Sequence, residues 1–166
     1  MTTGEEDRIL QLVLKYERPD DGYAIVNRLT SYDLDDLDND TIVAENREKK
    51  IISEKVIAEL LRQMMEKNRK AVIIGLKSDQ RNGYFIDSKD EYAKATTYDW
   101  EKIRKERPKV SCRTLLSRPA YDSENEIVMV YVQKDRGRGD CFGEVKVYKY
   151  SNGILEELLR ALVYIS

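Results

Sequence analysis

Cys112-Arg-Thr-Leu-Leu-Ser-Arg118, Glu126-Ile-Val-Met-Val-Tyr-Val-Gln133 and Phe142-Gly-Glu-Val-Lys-Val-Tyr-Lys-Tyr150 are three runs rich in β-branched and aromatic residues, separated by segments of Pro, Gly, Asp and Asn. Strand, turn, strand at this spacing predicts an antiparallel meander. The segment that follows has two readings. Ile154-Leu-Glu-Glu-Leu-Leu-Arg-Ala-Leu162 has helical propensity, whereas Asn152-Gly153 is the strongest short hairpin signal and Val163-Tyr-Ile165 prefers a strand. We read it as the return strand of a hairpin.

Upstream the periodicity changes. Thr3 and Glu6 have capping-box spacing, and Ile9, Leu12, Val13 and Tyr16 recur on one helical face before Pro19-Asp-Asp-Gly22 stops the element. Tyr23 to Thr30 suits a strand, and Ser31 to Asn46 reads as a polar acidic loop. Ser53 caps a second helix whose Ile57, Leu60, Leu61, Met64 and Met65 form a core-facing stripe, with Asn68 ending it. Ala71 to Leu76 reads as a buried strand, and Asn82-Gly83 as a turn into Tyr84-Phe85-Ile86. Asp99 caps a short helix that carries Trp100, a core anchor, and Ile103, and that ends before Pro108. The expected architecture is α+β, an antiparallel C-terminal β-meander packed against two or three amphipathic helices, in a single globular domain spanning residues 1–166.

Composition removes many chemistries. The 166 residues contain no histidine, so a Ser-His-Asp triad, a Cys-His dyad, an H-E-x-x-H zinc site and a facial iron triad are all excluded. Two cysteines, Cys112 and Cys141, are too few for a disulfide framework or a four-thiolate zinc site, and they read as reduced thiols whose pairing the sequence leaves open. Lys plus Arg at 29 nearly balance Asp plus Glu at 31. That balance gives no general attraction to phosphate backbones, so nucleic acid is not an expected partner. The N-terminus, Met1-Thr-Thr-Gly-Glu-Glu-Asp7, is acidic and no apolar run is long enough for a membrane span, so the chain as given reads as soluble and cytoplasmic, with no membrane partner, and a removed export signal would leave no trace in it.

Trp100 with Pro108, Leu116-Ser-Arg-Pro-Ala-Tyr121, Val130-Tyr-Val132, Cys141-Phe-Gly143, Asn152-Gly153 and Tyr164-Ile-Ser166 occur in an order that resembles an uncharacterised bacterial family. Ile25-Val26 with Leu29-Thr30, and Lys67-Asn68, extend the resemblance over most of the chain. Two positions depart from that pattern: Ile154-Leu155 stands where a tryptophan usually follows the Asn-Gly turn, and Tyr164 replaces the final tryptophan. The resemblance implies an α+β fold with an antiparallel sheet, and it supplies no catalytic residue or ligand.

Three stretches merit a chemical reading. Asp33-Leu-Asp-Asp-Leu-Asp-Asn-Asp40 is dense in oxygen ligands, but from Asp36 the calcium-loop grammar fails, with Thr41 at the glycine position and Arg47 at that of the bidentate glutamate. A solvated acidic loop without a metal is expected. Lys134, Asp135, Arg136, Gly137, Arg138, Gly139, Asp140 and Cys141 form the best candidate binding loop, since they join positive charge to glycines able to present backbone N–H groups to an anion. The loop leads into a strand, not a helix, which argues against nucleotide binding, and Arg138-Gly139-Asp140 is read as a chance integrin-type tripeptide. Cys141 beside Arg136 and Arg138 invites a lowered thiol pKa. Ser117-Arg118 and Tyr121 have no evident general base and read as strand-edge structure, and the 11 tyrosines as sheet packing. The expected function is therefore a non-enzymatic binding or interaction module, without cofactor, for a protein or a small anionic ligand. The alternative is an enzyme using carboxylate, Tyr or Cys chemistry without histidine.

Overall fold

The computed structural model describes residues 2–28, 39–70, 74–94 and 97–165. Among the described residues four helices, α1 (Gly4–Tyr16), α2 (Asn39–Lys49), α3 (Glu54–Lys67) and α4 (Trp100–Glu106), accompany nine strands. These are β1 (Tyr23–Arg28), β2 (Tyr84–Ile86), β3 (Ala93–Lys94), β4 (Thr97–Tyr98), β5 (Val110–Leu116), β6 (Ala120–Asp122), β7 (Ile127–Asp135), β8 (Cys141–Ser151) and β9 (Ile154–Ile165). The main sheet runs β2-β1-β5-β7-β8-β9, with β6 also paired to β7, while β3 and β4 form a separate small pair.

The C-terminal half is the expected meander. β5, β7, β8 and β9 are antiparallel neighbours, and the chain turns between β8 and β9 on Asn152 and Gly153, both with positive φ (54° and 71°). That is the dihedral signature of a type I′ hairpin turn. β9 is extended over the whole disputed segment because Leu155, Leu159 and Ala161 are buried on the sheet, and tertiary burial outweighs local helix propensity. β1 adds a feature that turn chemistry does not reveal: it lies between β2 and β5 and pairs in parallel with both.

Alternation sorts the side chains onto two faces. On one, Val26, Leu116, Val128, Val130, Val132, Tyr148 and Leu155 pack against Ile9, Leu10, Val13 and Leu14 of α1. On the other, Leu115, Met129, Tyr131, Val145, Val147, Leu159 and Ala161 meet Ile42 of α2 and Ile57, Leu60, Leu61 and Met64 of α3. Residues Ile127 to Val132 of β7 are therefore buried on both faces. Trp100 is half-buried at the edge of a third cluster containing Ile25, Tyr92 and Ile103.

The helix starts follow the caps. Thr3 and Glu6 close a full capping box, Ser53 accepts from the Val56 amide and Asp99 from that of Lys102. Two expectations need correction. Part of the presumed acidic loop is helix α2, anchored by fully buried Ile42 and by Asn46, whose amide side chain bonds both N and O of Ile52. One apolar anchor and one buried amide leave too faint a period to read. Ile74 to Leu76 is irregular, held by a hydrogen bond from the Gly75 amide to Thr2 Oγ1 (2.8 Å). The rest of that run, 71–73, and residues 29–38 lie outside the described residues.

The Leu116-Ser-Arg-Pro stretch proves to be a joint. The Ser117 amide donates to Tyr131 O (3.0 Å) and its hydroxyl accepts from the Tyr131 amide (2.9 Å), carrying the ladder across the break between β5 and β6. Arg118 reaches buried Glu6 (3.1 Å), which also meets Lys67 (3.4 Å), while Asn68 bonds the backbone N and O of Arg118. One cluster thus ties together the start of α1, the end of α3 and the strand break.

Candidate binding site

The loop between β7 and β8 is built by three consecutive left-handed residues, Gly137 (φ 79°), Arg138 (57°) and Gly139 (79°). Glycine adopts that region freely and arginine does not. Much of the backbone donor capacity expected to face an anion is used internally: the Gly137 amide bonds the Asp135 carboxylate (2.7 Å), that of Arg136 bonds Asp140 O, and that of Asp140 bonds Gly137 O. Gly137 is buried, and a Cβ there would stand 3.4 Å from both the Trp100 indole and Arg104. Helix α4 therefore supports the loop from beneath. Arg136 pairs with Asp140 (3.5 Å) and lies over the Phe142 ring (5.7 Å). Arg138 is exposed, and among the described residues its guanidinium has no ion-pair or hydrogen-bond partner.

Lys134 separates from the rest of the loop and turns to the α1 face. There α1 ends at Tyr16 while β7, β8 and β9 continue past it, leaving an open cavity of about 400 Å³ lined by Glu17, Lys134, Glu144, Lys146, Glu157 and Arg160, with Tyr16 and Phe142. The inner pair is Glu17 and Lys146, each 5% exposed and in direct ion-pair contact. The second Glu17 oxygen takes Lys134 (2.5 Å), and Lys146 also meets Glu144 (3.4 Å). Glu157 pairs with Arg160 (2.6 Å). Burial alone would raise the Glu17 carboxyl, but hydrogen bonds and charge from Lys134 and Lys146 outweigh it and hold the group below its ordinary value. Burial, reinforced by Glu17, pushes the Tyr148 phenol up, and its hydroxyl has no hydrogen-bond partner.

Sequence reading found Lys134 and the loop but not the other cavity walls. A signal was present in Phe142-Gly-Glu144-Val-Lys146-Val-Tyr148, where alternate positions put two opposite charges and two aromatics on one sheet face. Glu17 carried none, because its neighbours on β7 and β8 are remote in sequence.

The thiols depart from expectation. Cys141 is not activated: burial and the Asp135 charge push its thiol up, and Gln133 donates to its sulfur (3.4 Å). Cys112 is also pushed up by burial. Both are free, on β5 and β8 with β7 between them, and two strand spacings of about 4.8 Å exceed the Cα separation a disulfide spans. Asp40 and Arg47 of the acidic segment lie on helix α2. Among the described residues no group of three or more Cys, Asp or Glu is placed to hold a metal ion, and no helix is long and apolar enough to cross a membrane.

Compared with known proteins, the chain matches no family model, and no curated protein or solved structure shows significant similarity to it.

Proposed function

We propose that this chain is a non-enzymatic binding module whose β7–β8 loop recognises an acidic group on its partner. The observation that carries the reading is Arg138. It is exposed and unpaired among the described residues, and it is held in a left-handed conformation between two glycines on a loop seated against Trp100. A strained, supported backbone that presents an uncommitted cation is preorganised for an anionic contact. Binding is favoured over catalysis because Glu17, Glu144 and Glu157 each face a cation, and the Glu17 carboxylate, held below its ordinary pKa by Lys134 and Lys146, is a weak general base near neutral pH. The overall charge balance speaks against nucleic acid as the source of that acidic group.

The test compares the wild type with an Arg136→Ala/Arg138→Ala double variant in pull-downs at low and moderate salt, alongside thermal melts. Partners retained by the wild type should be released by salt and lost in the variant, with stability changed by about 0.5 kcal/mol or less. An identical, salt-insensitive partner set for both proteins would remove the loop from recognition.

A further inference from the structure

Asn-Gly occurs twice in the chain, at Asn82-Gly83 and Asn152-Gly153, and the fold places the two dipeptides in opposite environments. The dipeptide carries a chemistry of its own. The backbone nitrogen that follows an asparagine can attack the side-chain amide carbon, and a glycine leaves that approach unhindered because it has no Cβ. Attack requires a backbone N–H not committed to an acceptor, a side-chain amide free to leave, and room for the turn to rotate.

At Asn82-Gly83 all three are denied. The Gly83 amide donates to Gln80 O (3.1 Å), Asn82 Nδ2 donates to Asp79 Oδ2 (2.6 Å), and the Asn82 amide donates to Asp79 Oδ1 (3.2 Å). Gly83 is buried, with Arg18 Cγ 2.7 Å from where a Cβ would stand. At Asn152-Gly153 all three are met. Both residues are exposed, nothing lies within 4 Å of a Cβ placed at Gly153, and among the described residues neither the Asn152 side chain nor the Gly153 amide has a hydrogen-bond partner. The hairpin turn must open for the attack. The pair that closes it, Ser151 with Ile154, is weakly held because Ile154 is 66% exposed, so opening is local.

We propose that Asn152 is a site of spontaneous covalent modification in the folded chain, with water as co-reactant, and that the fold protects Asn82 from the same reaction. The Gly153 nitrogen, its proton taken by hydroxide, forms a bond to Asn152 Cγ. The Cγ–Nδ2 bond breaks, and the nitrogen leaves as ammonia after taking a proton from water, which regenerates the hydroxide. A second water opens the resulting five-membered imide at either carbonyl, leaving an aspartyl or an isoaspartyl residue. The sum is one water consumed and one ammonia released, with no change of oxidation state. Aspartate suits a two-residue type I′ turn as asparagine does, whereas the isoaspartyl form adds a backbone carbon that the turn does not accommodate. The turn stands at the far end of β8 from the β7–β8 loop, so the inference is independent of the binding role given to that loop.

The experiment incubates the native chain at mildly alkaline pH in heavy-oxygen water and follows both dipeptides by peptide mapping and mass spectrometry, with a parallel incubation in denaturant. In the native chain the Asn152 peptide should take up heavy oxygen, resolve into aspartyl and isoaspartyl forms, and convert faster as pH rises. Its rate should exceed that of Asn82 by at least about tenfold, since conversion of Asn82 needs a larger opening of the fold. In denaturant, where the fold no longer separates the two sites, the rates should agree to within about threefold. Native conversion of Asn82 as fast as that of Asn152 would overturn the proposal. So would an Asn152 that converts in denaturant and stays intact in the native chain, or a tenfold difference that persists in denaturant and so belongs to the sequence, not the fold.

Discussion

Glu17 shows what a single carboxylate accomplishes where a helix ends on a sheet. As the C-terminal cap of α1 it brings one charge to two lysines on adjacent strands, so helix and sheet are joined by one residue. Its folded pKa is depressed, and its stabilising effect is therefore complete above the unfolded glutamate value near 4.3 and is lost as pH falls through the folded value. Glu17→Gln should cost about 2 kcal/mol at neutral pH, since it leaves Lys146 buried with only Glu144 beside it. In denaturant titrations the gap between wild type and variant should be level above about pH 5 and narrow below the unfolded value; a gap independent of pH would mean the pair contributes packing alone. Gly143 makes the complementary case. A Cβ there would lie 2.2 Å from Tyr131 Oη, which is held by Gln133 at 2.8 Å, so Gly143→Ala should destabilise by about 2 kcal/mol in the same assay.

At the level of elements, legibility followed locality. The helix caps, the α3 stripe and the Asn152-Gly153 hairpin were readable because a few neighbouring residues determine each of them. Helix α2 was not, because Ile42 is buried against residues remote in sequence and the bonds of Asn46 to Ile52 leave no periodic mark. Nor were the parallel partners of β1, since a strand carries no local record of its neighbours' direction. Of the site, the loop was visible as composition and the cavity was not, because its charges come from α1, β7, β8 and β9. The Glu6–Arg118–Lys67 cluster joins elements in the same non-local way. Arg118→Ala should cost about 2 kcal/mol by leaving buried Glu6 with Lys67 as its one remaining cation beside the Thr3 amide, and a melt unchanged from wild type would reduce the cluster to surface decoration. Gly137→Ala tests the loop as a unit: at φ 79° and against Trp100 it should cost about 1 kcal/mol and shift the emission of the chain's single tryptophan. An unaltered spectrum would mean the loop does not rest on α4.

For the whole molecule, burial on both faces makes β7 the centre of the sheet, while β2 is a three-residue edge. Amide hydrogen exchange should therefore be slowest at Val128–Val132 and faster at Tyr84–Ile86 and in the β3–β4 pair; uniform protection would argue that the sheet opens only as a whole. The position of β1 carries a consequence for how the chain acquires its shape. Tyr23 waits for Val110, and Ala24 for Tyr84 and Cys112, whereas the β7–β8 and β8–β9 pairings close within short hairpins. On a ribosome, β1 emerges with Ala24, Ile25 and Val26 ready to be buried and neither neighbour yet made. The first of the described strands thus stays unpaired until Tyr84–Ile86 and then Val110–Leu116 have emerged, and over that stretch of elongation it offers open edges to chaperones or to other nascent chains.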